Sequence, residues 1–181
     1  TMKLTEGQVA LDFTVKDING NEIRLSKYKG KKIILGFFRN VGCPFCNRRI
    51  HEIMSHNIRL KKSGVELLIF FESKQNKITQ STFHKGIEPW PIISDPEKTI
   101  YNLYGVEESF FKAVKTMFKS NVLKAKKDTK ALNLPEDKEA SAKLIPADFF
   151  IDENFKIIKA NYGNHIDDHV SMEELKQFAG I

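Results

Sequence analysis

Apolar and polar positions alternate along Leu11–Asp17 (LDFTVKD), the two-residue period of a strand with one buried face. Glu22–Leu25 (EIRL) continues as a second strand, and Asn19-Gly20 between them supports the positive φ of a tight turn, so a hairpin is predicted. The pattern then changes. Lys31–Phe38 (KKIILGFF) and Val65–Phe71 (VELLIFF) are short continuous apolar runs, as strands covered on both faces require. Between them Ile50, Ile53, Met54, Ile58 and Leu60 recur nearer a helical period, predicting one helix over Cys46–Lys62 that Gly64 stops.

Further along, the pattern predicts a helix near Asn76–His84 and a turn around Pro89 and Pro91, after which Ile93–Pro96 (ISDP) leads into a helix through Tyr104. Tyr104 is expected to pack inside and Gly105 to permit a turn. Phe110, Val114, Met117, Phe118 and Val122 recur at helical spacing, with Lys112, Lys115 and Lys119 on other faces. Val106–Lys143 therefore reads as a long amphipathic helix and a polar link through Pro135, either folded back on the core or offered to a partner or membrane surface. Ala147–Asp152 (ADFFID) and Phe155–Tyr162 (FKIIKANY) predict a hairpin around Glu153-Asn154. A last helix covers Ser171–Phe178, and Asp168 resembles its cap. This order predicts one α/β domain over 1–181, with a central mixed β-sheet flanked by helices and a helical insertion near 106–143. The two buried strands joined by a helix should form a right-handed crossover unit.

Composition narrows the picture. At 181 residues and 41% hydrophobic, with 14 Phe, the chain is long enough to bury a core. The net charge of +6 divides as +7 over 1–105, +3 over 106–143 and −4 over 144–181, so no single basic tract argues for nucleic acid. No apolar run approaches the roughly 20 residues of a membrane span. Thr1 ahead of Met2 reads as an added residue, and the start lacks the basic and apolar regions of a signal peptide; a cytoplasmic location is the expectation.

The two cysteines, Cys43 and Cys46, fall just past a buried strand at a helix start. That edge of an open α/β sheet is where ligands bind. A helix N-terminus carries free N–H groups and partial positive charge, so it stabilises a thiolate. Pro44 suits the first helical turn, and Arg39, Arg48 and Arg49 add positive charge. Two intervening residues put both sulfurs in bridging reach, so one can attack and the other resolve a mixed disulfide. A structural disulfide and a zinc site compete with this reading. Zinc needs about four ligands, there is no second CxxC, and His51 and His56 do not share a helical face. Gly163–Val170 holds metal-competent His165, Asp167, Asp168 and His169, with nothing in the spacing to gather them on one face. Asn40 and Gly42 shape the approach loop or serve its turn. Trp90 borders the cleft or packs in the core. Asp12 and Asp17 are expected to be exposed strand-end acids.

Three further stretches carry a resemblance. GQVALDFTVKDINGNEIRLSKYKGKKIILGFF, PIISDPEKTIYNLYGV and IPADFFIDENFKII together resemble the peroxiredoxin (AhpC/TSA) branch of the thioredoxin-like superfamily, over nearly the whole chain. The resemblance implies a thioredoxin-like fold in which Pro146, after Ile145, is cis and faces the CxxC. It implies a thiol peroxidase needing no metal or organic cofactor. Hydroperoxides or protein disulfides are the implied substrates, thioredoxin- or glutathione-type thiols the reductants, and a homodimer a possible assembly. On the family's Pro-x-x-x-Thr-x-x-Cys site, the peroxidatic position falls on Cys46, the threonine on Cys43 and the proline on Arg39. The family's later arginine has no counterpart, since no arginine follows Arg59. By thioredoxin logic Cys43 attacks; by peroxiredoxin logic Cys46 does, which is the expectation for peroxide. The candidate catalytic residues are Cys43, Cys46, Arg39 and Pro146. The candidate substrate-contact residues are Gly42, Pro44, Phe45, Trp90 and Ile145. A plain thiol–disulfide oxidoreductase and a redox-sensing binding module remain as alternatives.

Overall fold

The computed structural model describes residues 2–80, 86–119, 127 and 134–181, with 117–119 described by backbone alone. A short hairpin, β1 (Thr14–Lys16) and β2 (Glu22–Arg24), pairs antiparallel as the alternation predicts. Asp17 builds its turn: its carboxylate accepts the Asn19 and Asn21 N–H groups, and Gly20 takes φ +85°. Asp17 is therefore buried and not an exposed strand end. A 3-10 turn, Leu25–Tyr28, follows.

The main sheet has five strands in the order β5-β4-β3-β6-β7. These are β3 (Ile33–Phe37), β4 (Glu66–Phe71), β5 (Ile92–Ser94), β6 (Ala147–Ile151) and β7 (Ile157–Tyr162). β3 runs parallel to β4 and antiparallel to β6, so it is central, and every one of its residues is buried. That position explains why KKIILGFF reads as an apolar run and not as an alternation. Its odd and even side chains enter two cores. Ile34 and Phe38 face α1 (Pro44–Met54), α2 (Asn57–Ser63) and the last helix, α6 (Met172–Ala179). Ile33, Leu35 and Phe37 face α4 (Thr99–Leu103) and the N-terminal hairpin. Phe37 stacks on Phe70 at 4.7 Å and meets Tyr101, Tyr104 and Phe149 at ring separations of 5.1–5.8 Å.

Three further expectations need correcting. The helix predicted over Cys46–Lys62 begins earlier, at Pro44, and is broken at Ser55-His56. Ser55 Oγ bonds back to the Glu52 carbonyl, the local competition by which serine ends helices, and His56 leaves helical geometry at φ −104°, ψ 9°. The cap of α6 is Ser171 and not Asp168. Ser171 Oγ accepts the Glu174 N–H while Glu174 reaches back to the Ser171 N–H, a capping box, and Asp168 accepts the Asn164 N–H. The Ile145–Pro146 peptide is trans; Glu88–Pro89 is the cis bond among the described residues. Leu144 bridges Glu108 and the Ile145 N–H donates to the Glu107 carbonyl, which ties the approach to β6 to residues 107–108. Within 106–143, α5 (Phe110–Lys119) starts where the helical spacing starts and 134–143 are non-helical around Pro135; 120–126 and 128–133 lie outside the described residues. α3 (Gln75–Gln80) starts the helix predicted near Asn76–His84, of which 81–85 are also outside them. No helix among the described residues is long and apolar enough to cross a membrane.

Candidate active site

The C-terminal ends of β3 and β4 and the start of β6 meet at one edge of the sheet. β3 leads into Arg39–Gly42 and the cysteines, β4 into Glu72-Ser73, and residues 141–146 lead into β6. Cys43 is the N-cap of α1 and Pro44 its first residue. The cap's side chain bonds no backbone N–H in the manner of Ser or Asp, which leaves the sulfur to other donors. Asn47, fully buried, ties the turn down by donating to the Val41 and Cys43 carbonyls at 2.8 and 2.9 Å. Both cysteines are buried and unbridged, Cys43 at 4% exposure and Cys46 at 0%.

Their environments differ in sign. The Cys46 thiol donates to Cys43 Sγ, the Arg39 guanidinium adds charge, and the Phe45 and Cys46 N–H groups of the helix start point the same way. Against the cost of burial, these lower the Cys43 thiol from 9.0 to about 6. Burial pushes the Cys46 thiol well above its ordinary value, and the neighbouring Cys43 sulfur reinforces the rise. One thiolate and one thiol side by side is the arrangement a dithiol needs to attack and then resolve.

Arg39 is the organising side chain. Its Nη1 lies 3.3 Å from Cys43 Sγ, Nε donates to the Leu144 carbonyl at 2.9 Å, and Nη2 donates to the Ser141 and Ala142 carbonyls at 3.3 and 3.2 Å. A guanidinium suits this, because its fixed fork serves several acceptors and never loses its charge. Residues 135–144 thus form a strap across the site. Asp137 accepts from Ser73 Oγ at 2.6 Å, the same hydroxyl that accepts the Val41 N–H. Glu139 pairs with Lys74. The Pro135 carbonyl sits where a side chain at residue 42 would be, so Gly42 is required by close approach.

The structure gathers most of the predicted residues. Cys43, Cys46, Arg39, Gly42, Pro44 and Phe45 form the site itself, with Phe45 buried under the Arg48 guanidinium at 5.4 Å. Ile145 and Pro146 are buried at the same sheet edge, and the Pro146 carbonyl accepts the Gly163 N–H. Trp90 packs in the core under α1 and α2, its indole N–H donating to Asn57 Oδ1 at 2.7 Å, which ties it to α2. The four metal-competent side chains of 163–170 go separate ways. Asp167 pairs with Arg48, Asp168 holds the Asn164 N–H, His165 Nδ1 accepts the Asp167 N–H, and His169 Nδ1 lies 3.0 Å from buried Asp148. Among the described residues no cluster of three such side chains forms a metal site.

Sequence reasoning missed a set of buried polar residues, Asn47, Glu72, Ser73 and Asp148, and Arg49, expected to add charge at the cysteines, is buried instead against the Val170 carbonyl and Glu52. Burial alone would raise Asp148, but His169, the Val170 N–H and Arg49 together take its carboxyl below the usual 3.8. Glu72 goes the other way: burial raises it, only partly offset by the Ser141 N–H, Lys98 and Arg39. The one sequence signal for these residues is a charged or amide side chain flanked by an apolar run, as in FFES and ADFF.

Comparisons with known proteins bear on this geometry. The chain is 23% identical over 94% of its length to a Mycobacterium tuberculosis protein classed as a peroxiredoxin, covering 93% of that protein. It is 28% identical over 60% of its length to a chloroplastic peroxiredoxin Q of Triticum aestivum, covering 50% of it. Among solved structures, reduced 2-Cys peroxiredoxin of Plasmodium vivax superposes with a TM-score of 0.65 at 17% identity, over 97% of this chain and 80% of that one. That likeness establishes the thioredoxin-like fold. The AhpC/TSA family profile matches residues 7–160, and the chain belongs to the AhpC/TSA family.

Proposed function

We propose that the protein is a thiol peroxidase in which Cys43 attacks and Cys46 resolves. The observation that carries the reading is geometric: Cys43 is the N-cap of α1 with Arg39 Nη1 3.3 Å from its Sγ, while Cys46 is wholly buried. In keeping with that placement, the Cys43 thiol is lowered and burial raises that of Cys46. This reverses the expectation from the family motif, which places attack at Cys46. In the first step the Cys43 thiolate displaces alkoxide from a hydroperoxide, ROOH, giving Cys43–SOH; a proton converts the alkoxide to ROH. In the second step Cys46 attacks that sulfur, forming the Cys43–Cys46 disulfide and releasing water. Arg39, 3.3 Å from Cys43 Sγ, is placed to stabilise negative charge on sulfur and on the departing oxygen. An external dithiol of the thioredoxin class, or two thiols of the glutathione class, returns the bond to two thiols. Small peroxides suit the site better than protein disulfides, because Cys43 is 4% exposed beneath the strap.

The test is single-turnover oxidation of reduced Cys46→Ser and Cys43→Ser variants with hydrogen peroxide, read by sulfenate trapping and mass spectrometry. Sulfenate on Cys43 in the Cys46→Ser variant, with little reaction of the other, supports the reading. Fast sulfenate only on Cys46 reverses the roles. Slow reaction with peroxide but rapid exchange with a disulfide substrate replaces the peroxidase by a thiol–disulfide oxidoreductase.

A further inference from the structure

Glu72 directly follows β4 with its side chain 2% exposed, and its Oε1 has no hydrogen-bond partner among the described residues. Such a carboxylate is costly to bury unless something holds it there. Its Oε2 accepts the Ser141 N–H at 3.1 Å. On the other side of the same residue, the Ser141 carbonyl accepts from Arg39 Nη2 at 3.3 Å, and Arg39 Nη1 lies 3.3 Å from Cys43 Sγ. The Glu72 N–H also donates to the Arg39 carbonyl at 3.0 Å, which fixes the two residues side by side across the β3–β4 edge. Lys98 approaches Glu72 at 3.8 Å from a backbone held at φ +55°, a left-handed conformation that costs a lysine energy and needs local support. Among the described residues, Arg39, Lys98 and Tyr101 are the charged or titratable groups facing Glu72, and Arg39 and Cys46 those facing Cys43.

The geometry points to Glu72 as a positioning residue for the dithiol: by holding the Ser141 N–H it aims the strap's carbonyls so that they seat the Arg39 guanidinium on Cys43 Sγ. The inference deepens the proposed function and rests on Cys43 being the acidic thiol. It has a distinctive sign. Deleting a nearby negative charge by itself favours a thiolate, so Glu72→Ala acting only through charge makes Cys43 more acidic. Loss of the Arg39 seat makes it less acidic.

The test uses the Cys46→Ser protein, which has one thiol, titrated by thiolate absorbance and by iodoacetamide rate against pH. An acidic Cys43 in this parent upholds the proposed function, and an ordinary thiol removes that reading before Glu72 is touched. Given an acidic parent, Glu72→Ala is expected to raise the Cys43 pKa by at least about one unit, about tenfold less thiolate below both values. Glu72→Gln, which keeps an acceptor for the Ser141 N–H but loses the charge, is expected to stay at or somewhat below the parent pKa. Should Glu72→Ala not fold, Ser141→Pro deletes the same hydrogen bond from the other side and is expected to raise the pKa likewise. An unchanged or lowered pKa in the folded deletion variant overturns the proposal. So does a Glu72→Gln shift as large as that of the deletion variant.

Discussion

At the scale of single residues, the site depends on one cation placed against one sulfur. Arg39→Met removes the guanidinium and leaves the Leu144, Ser141 and Ala142 carbonyls without their donor. Its Cys43 thiol is expected to rise by about one unit or more, so the iodoacetamide rate near neutral pH falls about tenfold. A rate profile unmoved from wild type would show that the helix start and Cys46 suffice. The lowered thiol also carries a stability signature. Cys43 is depressed in the fold, from 9.0 to about 6, so its contribution is full above the unfolded value and is lost as pH falls through the folded one. In a Cys46→Ser background, thermal melts from pH 6 to 9 should show the Cys43 protein gaining on its Cys43→Ser counterpart as pH rises. A gap that stays flat across that window contradicts an acidic Cys43.

At the scale of elements, short polar devices decide where helices begin and how they dock. Ser171→Ala removes the Oγ that caps α6 and is expected to cost about 1 kcal/mol in urea unfolding. Asp148 joins β6 to the start of α6 by accepting the Val170 N–H and holding His169. Replacing it by Ala strands those donors in the interior, a loss of about 3–5 kcal/mol at neutral pH. Because its carboxyl sits below the usual 3.8, that contribution is present above this value and fades as pH falls below it. Urea midpoints of wild type and Asp148→Ala should therefore converge in acid; parallel midpoints at every pH would show that Asp148 acts by packing alone. The strap belongs to this scale too. It is not a continuous element; Arg39, Glu72, Ser73 and the gap at Gly42 hold it in place.

At the scale of the whole molecule, the central sheet joins two cores, and β3 contributes to both. Phe37 is the joint, packed against rings from β4, α4 and β6. Phe37→Ala is expected to cost about 3–5 kcal/mol and to unfold the protein in one cooperative step. Separate transitions for the two faces of the sheet would contradict a single cooperative unit.

The sequence by itself determined the hairpin strands, β3, β4, β6, β7 and the redox pair, whereas the short edge strand β5 (Ile92–Ser94) gave no strand signal of its own. The continuous runs KKIILGFF and VELLIFF have the pattern of strands covered on both faces, and the spacing of Cys43 and Cys46 at a predicted helix start announces a dithiol. Both are local signals, in which residues near in sequence act together. Tertiary structure decided what local signals cannot carry. The opposite shifts of the two thiols depend on the Cys46 thiol beside Cys43, on burial and on Arg39. Arg39 depends on carbonyls about a hundred residues away, and Glu72 reaches them through Ser141. The trans bond before Pro146 was likewise settled beside residues 107–108, which the one-dimensional pattern does not show. Electrostatic fields and hydrogen bonds act across space, and folding alone determines which groups come within their reach.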